Sequence, residues 1–336
     1  MKSLRKLLFP FALLYGAVTW IRNQFYNSGI LSSRSYDLPV ICVGNLNTGG
    51  TGKSPMIEYL LKLVSPKYRT AALSRGYKRS TRGFKLLRGN ESAAEAGDEP
   101  LQFKRNFGNA LVAVDADRRN GIAELLKQEP EVILLDDAFQ HRKVKAGLNI
   151  LLTSYGDLYT EDFMLPAGNL REPTVGAERA DIIVVTKCPL KLTSEEQERI
   201  WHKLRLRNYQ KLFFTGISYD ENPRNADGEA DWEELSTEGF CLVTGIANPK
   251  PLLEHLKGKD FNYTHRKFPD HHNFTERELN ELKEENLILT TEKDYVRLKD
   301  ELPPDKLFYL PIKVTFIKGK EEFDKNILDY IKEKEV

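Results

Sequence analysis

Short apolar runs rich in valine, isoleucine and leucine recur along the chain and alternate with segments of helical periodicity. The runs predict strands at residues 40–43, 70–73, 110–114, 132–135, 149–152, 181–185 and 212–217. Between them we expect helices at residues 53–64, 94–106, 119–128 and 194–206. Strands that are apolar throughout, rather than alternating, are typical of a parallel sheet covered by helices on both faces. This part of the chain therefore predicts an α/β fold.

The pattern continues after a polar break. Residues 220–238 carry eight acidic residues and one basic residue, with turn formers among them, and predict an acidic linker or insertion. Beyond it, strands are expected at 240–244, 263–268, 287–289 and 307–314, and helices near 251–256, 275–284 and 320–333. We therefore predict an N-terminal helix at 1–30, a core lobe at 31–219, the linker at 220–238 and a smaller C-terminal α/β lobe at 239–336.

The N-terminal segment needs a separate interpretation. Residues 7–21 contain no charge and follow Lys2, Arg5 and Lys6. Fifteen helical residues cover roughly 22 Å, less than the bilayer core of about 30 Å, so a full span is not expected. At helical spacing one stripe is apolar and the opposite stripe is small or polar, and Trp20 suits a headgroup boundary. The apolar stripe is Leu7, Phe11, Leu14, Val18 and Ile21, and the other is Ala12, Tyr15, Gly16, Thr19, Arg22 and Asn23. We predict an interfacial membrane helix; a helix packed on its own domain is the alternative.

Composition adds little to this picture. The 336 residues carry a net charge of +1, 40% hydrophobic and 29% charged residues, as in a soluble globular protein, and we expect no nucleic-acid partner. The three cysteines lie in or beside apolar runs without paired spacing, which argues against a disulfide framework or a zinc site and favours a cytosolic compartment. Residues 62–88 contain nine basic residues and no acid. That stretch is either a solvated basic face or a contact for lipid phosphate.

A glycine-rich segment lies between the first predicted strand and the next helix. It comprises Asn47, Thr48, Gly49, Gly50, Thr51, Gly52, Lys53 and Ser54. Such a turn directs backbone N–H groups at phosphate oxygens, Lys53 would reach the β- and γ-phosphates, and the Ser54 hydroxyl would bind Mg²⁺. The usual motif has glycine where Asn47 stands, but the strand–loop–helix context is that of a phosphate-binding loop. We therefore predict a P-loop NTPase-type sheet that binds ATP.

Acidic residues follow other strands at the same sheet edge. Asp136 and Asp137 end the run at 132–135, where a carboxylate can bind Mg²⁺ directly or through water. Asp98 opens a helix in Gly-Asp-Glu-Pro, and by itself is an ordinary first-turn acid. His271 and His272 lie on a loop in the second lobe, and their spacing alone assigns no role.

Together the motifs resemble one family, the tetraacyldisaccharide 4'-kinases, which are the lipid A 4'-kinases of Gram-negative bacteria. The motifs are Val-Gly-Asn at 43–45, the phosphate loop followed by Pro55, Ser-Arg-Gly-Tyr at 74–77, Gly-Asp-Glu-Pro at 97–100, Leu-Asp-Asp-Ala-Phe-Gln-His at 135–141, Leu-Pro-Ala-Gly at 165–168, Leu-Arg-Glu-Pro at 170–173, Phe-Pro-Asp-His-His at 268–272 and Thr-Glu-Lys-Asp at 291–294. The resemblance extends from the N-terminal helix to about residue 314.

The resemblance implies transfer of the γ-phosphoryl group of ATP to the 4'-hydroxyl of a tetraacylated glucosamine disaccharide 1-phosphate. It also implies a peripheral or monotopic position at the cytoplasmic face of the inner membrane. Asp98 would then be the general base, oriented by His271 or, failing that, His272, while Ser54, Asp136 and Asp137 would hold Mg²⁺ and Lys53 would stabilise the transferred group. Substrate or nucleotide contacts are expected from a further set, which is Arg75, Gln140, His141, Arg171 and Glu172.

Two other functions remain open from the sequence. A P-loop GTPase or metal-insertion ATPase is one, because Val184, Val185, Thr186 and Lys187 distantly resemble a base-reading strand end, although Cys188 follows in place of the expected acid. A membrane-associated nucleotide-binding protein without enzymatic activity is the other.

Overall fold

The computed structural model describes residues 5–77, 79–259, 261–270 and 272–334. Most of the predicted α/β elements of the first lobe are present. In chain order they are α1 (Phe9–Asn27), β1 (Val40–Asn45), α2 (Lys53–Val64), β2 (Thr70–Ser74), β3 (Lys85–Leu86), α3 (Ala93–Ala96), α4 (Asp98–Asn106), β4 (Leu111–Val114), α5 (Arg118–Leu126), β5 (Val132–Asp136), β6 (Leu148–Ser154), β7 (Ile182–Thr186), α6 (Ser194–Leu204) and β8 (Lys211–Tyr219). Short 3-10 helices lie at Lys6–Leu8, Tyr159–Glu161 and Thr174–Arg179.

The second part of the chain also alternates strands and helices. Its elements are β9 (Arg224–Asn225), β10 (Gly228–Glu229), α7 (Trp232–Glu238), β11 (Phe240–Thr244), α8 (Lys250–Lys257), β12 (Tyr263–Lys267), α9 (Glu276–Lys283), β13 (Ile288–Thr291), α10 (Glu292–Leu298), β14 (Leu307–Leu310), β15 (Ile312–Lys318) and α11 (Lys320–Glu333).

The larger sheet has the strand order β15-β8-β7-β6-β1-β5-β2-β4-β3. Its pairs from β4 to β8 are parallel, and β3 and β15 join antiparallel at the two edges. The predicted parallel sheet is therefore confirmed. Because β1, β5 and β2 are adjacent in that order and parallel, the loops that follow them meet at one carboxyl edge, where open α/β sheets bind their ligands.

Two apolar clusters cover the two faces of this sheet. One contains Met56 of α2, Leu101 of α4 and Phe323 of α11, and the other contains Ile122 of α5 and Ile200 of α6. β1 and β5 are buried along their whole length, which explains why their sequences do not alternate. A rigid double-sided core thus supports the edge where the candidate residues lie.

The smaller sheet has the order β10-β9-β14-β13-β11-β12 and its own core. Residues 220–238, expected as a linker or insertion, contribute β9, β10 and α7, and Leu235 is completely buried in that core. Leu235 and Trp232 of this segment pack inward, whereas Glu221, Asp227, Glu229, Asp231, Glu233 and Glu238 are exposed.

The structure corrects several predictions about elements and lobes. The single strand predicted at 307–314 is wrong, because Pro311 separates β14 of the smaller sheet from β15, which pairs antiparallel with β8 of the larger sheet. Residues 312–333, expected in the smaller lobe, consequently return to the larger core through Phe323. The helix predicted at 94–106 is interrupted at Gly97, whose φ of 89° is left-handed and ends α3. Helix α10, which was not predicted, begins where Thr291 caps it.

Helix α1 has the two predicted faces. The predicted apolar stripe is exposed, with Phe11 63% and Leu14 65% accessible, whereas Ala12 and Asn23 of the opposite stripe are buried against the larger lobe. Within the described part of the chain, no helix combines the length and the hydrophobicity that crossing a bilayer requires.

Candidate active site

The phosphate loop has the predicted context. It follows β1, and α2 begins at Lys53 after Gly52, whose φ of 84° is left-handed and suits glycine. The end of β7 supports the loop, because the Thr186 hydroxyl donates to the Thr51 carbonyl oxygen at 2.8 Å and the Lys187 ammonium contacts the Gly50 carbonyl oxygen. Burial and the nearby Lys53 charge lower the pKa of Lys187. Lys187 thus supports the loop backbone in this structure.

Asp137 stands at the centre of a cluster of cations. Arg171 Nη2 donates to Asp137 Oδ1 at 2.8 Å and Arg171 Nη1 to Asp137 Oδ2 at 3.3 Å, and Lys53 Nζ lies 3.9 Å from Oδ1. Burial opposes ionisation, but Lys53 and Arg171 outweigh it and lower the pKa of Asp137. Asn45, at the end of β1, contacts both cations through its side-chain oxygen, at 3.4 Å from Lys53 Nζ. The ends of β1 and β5 and residue 171 therefore form one polar site.

Asp136 lies deeper than Asp137 and has fewer partners. Ser74 donates to Asp136 Oδ2 at 2.9 Å, while Oδ1 is buried without a hydrogen-bond partner among the residues that the structure describes. Burial, together with the charges of Glu99 and Asp137, raises the pKa of Asp136 to about 7. Behind it, the buried Arg118 guanidinium donates to the Asp136 carbonyl oxygen at 2.9 Å and to the Asp115 carbonyl oxygen at 2.7 Å. Arg118 thereby joins the ends of β4 and β5.

Helix α4 brings Asp98 and Glu99 between the phosphate loop and the smaller lobe. Ser54 Oγ donates to Glu99 Oε1 at 2.7 Å, and Lys293 Nζ of α10 lies 3.7 Å from the same oxygen. Arg297 Nε donates to Asp98 Oδ2 at 3.1 Å, and Arg297 Nη2 also contacts this carboxylate. The Thr-Glu-Lys-Asp motif thus begins the helix that carries two cations to this acidic pair.

A second network lies on the other side of the loop. Gln140 Nε2 donates to the Asn45 carbonyl oxygen at 2.8 Å and to Glu172 Oε1 at 2.9 Å. Glu172 is 3% exposed and also accepts from Arg179 at 2.8 Å and from Asn23 of α1 at 2.8 Å. Gly44 permits the close approach of this segment, because a β-carbon there would lie 2.6 Å from Phe139 Cβ. Gln140 and Glu172 are therefore brought together with the phosphate loop.

The remaining candidates lie farther from this cluster. Arg75 is exposed after β2. Burial lowers the pKa of Arg118, and the charge of Arg75 lowers it further. His141 Nε2 lies 3.8 Å from Asp117 Oδ1, and burial together with Arg118 lowers the pKa of His141 to about 4, so it is neutral near pH 7. His272 contacts Glu278 at 2.9 Å and stacks on Phe268 within the smaller lobe. His271 lies outside the described residues.

Several residues of the site were missed in the sequence. Asn45 and Arg118 lie near the ends of predicted strands, and Glu99 adjoins Asp98 at the start of a helix, so their positions in the sequence were an available signal. Arg179 and Arg297 carried no such signal, because their partners Glu172 and Asp98 are recognisable only in the fold.

The donor set of this edge fits Mg²⁺. The ion prefers oxygen ligands and keeps several waters, binding through one or two carboxylates and substrate phosphates. Asp136 Oδ1 is a buried oxygen that lacks a partner among the described residues, and Ser54 and Asp137 lie on the adjoining loop and strand end. Within residues 5–77, 79–259, 261–270 and 272–334, no three His, Cys, Asp or Glu side chains surround a common point suited to a metal ion. Water and phosphate would therefore have to complete the shell.

Comparisons with known proteins agree with this architecture. The tetraacyldisaccharide 4'-kinase of Flavobacterium johnsoniae is 55% identical over 99% of both chains, and that of Flavobacterium psychrophilum is 50% identical over 98% of both. The crystal structure of LpxK from Aquifex aeolicus in complex with ATP superimposes with a TM-score of 0.80 at 32% identity, covering 98% of this chain and 99% of that one. A family model described as tetraacyldisaccharide-1-P 4'-kinase matches residues 4–332. The chain therefore belongs to the tetraacyldisaccharide-1-P 4'-kinase family.

Proposed function

We propose that this protein transfers the γ-phosphoryl group of ATP to the 4'-hydroxyl of a tetraacyldisaccharide 1-phosphate, a step of lipid A biosynthesis. The observation that carries the proposal is the convergence of a phosphate loop, two strand-end aspartates and an acidic helix start on one sheet edge, in a chain matched from residue 4 to 332 by the kinase family. The ATP-bound relative of the same fold supports ATP as the donor.

Asp98 is the proposed general base. A sugar hydroxyl is a poor nucleophile, so a carboxylate must accept its proton as the oxygen bonds to the γ-phosphorus and the bridging oxygen leaves with ADP. Asp98 is suitably placed because its neighbour Glu99 contacts Ser54 at the end of the phosphate loop. In this structure Arg297 contacts the Asp98 carboxylate, so acceptor binding must share or displace that contact. His271, or His272 failing that, remains proposed to orient the base.

Positive charge around the phosphates comes from three groups. Lys53 would stabilise the charge that develops on the transferred group, and the planar fork of Arg171 is suited to phosphate oxygens as well as to Asp137. Ser54, Asp136 and Asp137 would hold Mg²⁺, which when bound neutralises phosphate charge. Gln140, His141, Glu172 and Arg75 remain proposed substrate or nucleotide contacts.

The acceptor lipid explains the proposed location. Four acyl chains keep the substrate in a bilayer, so the enzyme must dock on the membrane surface, at the cytoplasmic face where ATP is available. The exposed apolar stripe of α1, which includes Phe11, Leu14 and Val18, would enter the headgroup boundary. The basic stretch 62–88 would meet lipid phosphate, including the 1-phosphate of the substrate.

The proposal is tested by incubating the purified full-length chain with ATP, Mg²⁺ and the tetraacyldisaccharide 1-phosphate in mixed micelles. We expect ATP-dependent formation of a bisphosphorylated lipid, with the new phosphate located on the 4'-oxygen by NMR. GTP in place of ATP and the acceptor lacking its acyl chains serve as controls. Tight GTP binding without lipid-dependent turnover would instead indicate the switch-type function, and nucleotide binding without any phosphorylated product would indicate a non-enzymatic protein.

A further inference from the structure

One segment connects the N-terminal helix to the nucleotide site. We call residues 162–172 the strap. On one side it contacts α1 and the residues before it: the Tyr15 hydroxyl donates to the Arg171 carbonyl oxygen at 2.9 Å, and Arg5 donates to Asn169 Oδ1 at 3.0 Å and to the Pro166 carbonyl oxygen at 3.1 Å. Phe9 packs edge-on against Phe163. The inner face of α1 is thus occupied by the strap.

The opposite side of the strap contacts the start of the phosphate loop. The Thr48 amide donates to the Asn169 carbonyl oxygen at 2.7 Å, and the Arg171 amide donates to the Leu46 carbonyl oxygen at 2.8 Å. The Asn47 side chain donates to Asp162 Oδ2 at 3.0 Å. The strap therefore lies between α1 and the loop, and its last residues carry the Arg171 fork that binds Asp137.

One contact between helix and strap is buried. Asn23 is 8% exposed on a helix whose other face is apolar and accessible, and it donates its amide to Glu172 Oε2 at 2.8 Å. Gln140 and Arg179 occupy Oε1, so Asn23 is the donor that the structure gives to the second oxygen. A buried carboxylate oxygen that loses its donor is destabilised in its position. Glu172 precedes Pro173 and follows Arg171, so its displacement would move the Arg171 guanidinium.

We infer that Asn23 and Tyr15 are positioning residues for the nucleotide site. They hold the strap, and the strap holds Arg171 together with the first residues of the phosphate loop. Helix α1 is thereby more than a membrane-facing surface, because its buried stripe completes the support of the ATP site. ATP affinity should consequently depend on this stripe even where no lipid is present. The inference concerns ATP binding by the full chain and does not require the proposed acceptor to be correct.

The test compares Asn23→Ala and Tyr15→Phe with Gln24→Ala, in the full-length protein without lipid. Gln24 is exposed on the same helix, and its described side-chain contact is with Asn27 of that helix, so it is a matched control. Titration with a fluorescent ATP analogue should show about tenfold weaker binding for Asn23→Ala, about threefold for Tyr15→Phe and no change for Gln24→Ala. Partition onto anionic vesicles should stay equal in all three, because the exposed stripe is intact.

Exchanging the donor and the acceptor of the Asn23–Glu172 hydrogen bond distinguishes a positioning role of Asn23 from general damage to the fold. Asn23→Asp alone places two carboxylates together and should weaken ATP binding more than Asn23→Ala. Combined with Glu172→Gln, the new amide can donate to the new carboxylate while its oxygen still accepts from Gln140 and Arg179, so ATP affinity should recover at least tenfold over Asn23→Asp. Wild-type ATP affinity in both Asn23→Ala and Tyr15→Phe would overturn the inference, as would a folded double variant whose loss of ATP affinity equals the combined losses of Asn23→Asp and Glu172→Gln measured singly.

Discussion

Replacing Arg171 by lysine tests whether the shape of its charged group, rather than its charge, organises the nucleotide site. The guanidinium makes two bonds to Asp137, at 2.8 and 3.3 Å, and one to the Asn45 carbonyl oxygen at 3.3 Å, besides its contact with the Asn45 side chain. A lysine ammonium keeps the charge but cannot reproduce a planar fork. The substitution therefore removes geometry and leaves the net charge of the site unchanged.

The expected loss follows from those contacts. A hydrogen bond to a charged group contributes about 1.5–3 kcal/mol, and the lysine would retain one of them. Arg171 is 23% exposed at its side chain, so water screens part of the interaction. We therefore expect a loss of about 2 kcal/mol in transition-state stabilisation, which corresponds to a decrease of roughly 30-fold in kcat/KM for ATP.

The assay is steady-state phosphorylation at saturating lipid with ATP varied, on Arg171→Lys beside Arg207→Lys. Arg207 is 58% exposed and pairs with Glu178 on the surface, so its substitution by lysine should leave kcat/KM unchanged. If Arg171→Lys also retained kcat/KM within twofold, the bidentate contact with Asp137 would have no part in organising the site, and the reasoning would be refuted.

Three further changes have defined outcomes. Lys53→Ala should reduce turnover by at least 1,000-fold and weaken ATP binding, and substantial residual activity in the lipid assay would contradict the loop assignment. The triple variant Phe11→Ser, Leu14→Ser and Val18→Ser should decrease vesicle partition by more than 100-fold, because burying each of these side chains contributes about 1.5–3 kcal/mol. Leu190→Ser, at an exposed site elsewhere, should leave vesicle partition unchanged. Burial and the charge of Glu292 raise the pKa of Glu58 to about 8. Because the folded state retains this proton above the unfolded pKa, the free energy of unfolding of the wild type should fall as the pH rises from about 5 to 8. Measured by urea unfolding, Glu58→Gln should reduce that decline by roughly 1–3 kcal/mol. Equal pH profiles for the two proteins would show that Glu58 is not held protonated.

Most helices and strands of the larger lobe could be predicted from the sequence because each is determined by residues that are close together in the chain. An apolar strand, a glycine-rich turn and a helix follow one another within 40–64, so each predicts the next. The parallel sheet followed from strands buried on both faces. The predicted faces of α1 were likewise confirmed, since helical periodicity alone separates Leu14 from Asn23.

The parts that could not be predicted depend on long-range contacts. Pro311 marks the change from one sheet to the other, but only the pairing of β15 with β8 shows where the chain goes afterwards. Arg297 meets Asp98 across 199 residues, and Asn23 meets Glu172 across 149. Neither arginine nor asparagine has a local pattern that reveals such a partner. The candidate site was therefore predicted at its loop and strand ends, and its supporting partners emerged from the fold.

The central claim, that this chain is a lipid kinase with Asp98 as its base, is tested most directly by phosphoryl transfer in Asp98→Asn beside Arg297→Gln. Both substitutions remove the ion pair between Asp98 and Arg297, but only the first removes the carboxylate. We expect Asp98→Asn to lower kcat by about 100- to 10,000-fold while ATP affinity stays within about threefold, and Arg297→Gln to keep kcat within about tenfold. Equal losses in the two variants, or near-normal turnover in Asp98→Asn, would contradict the account.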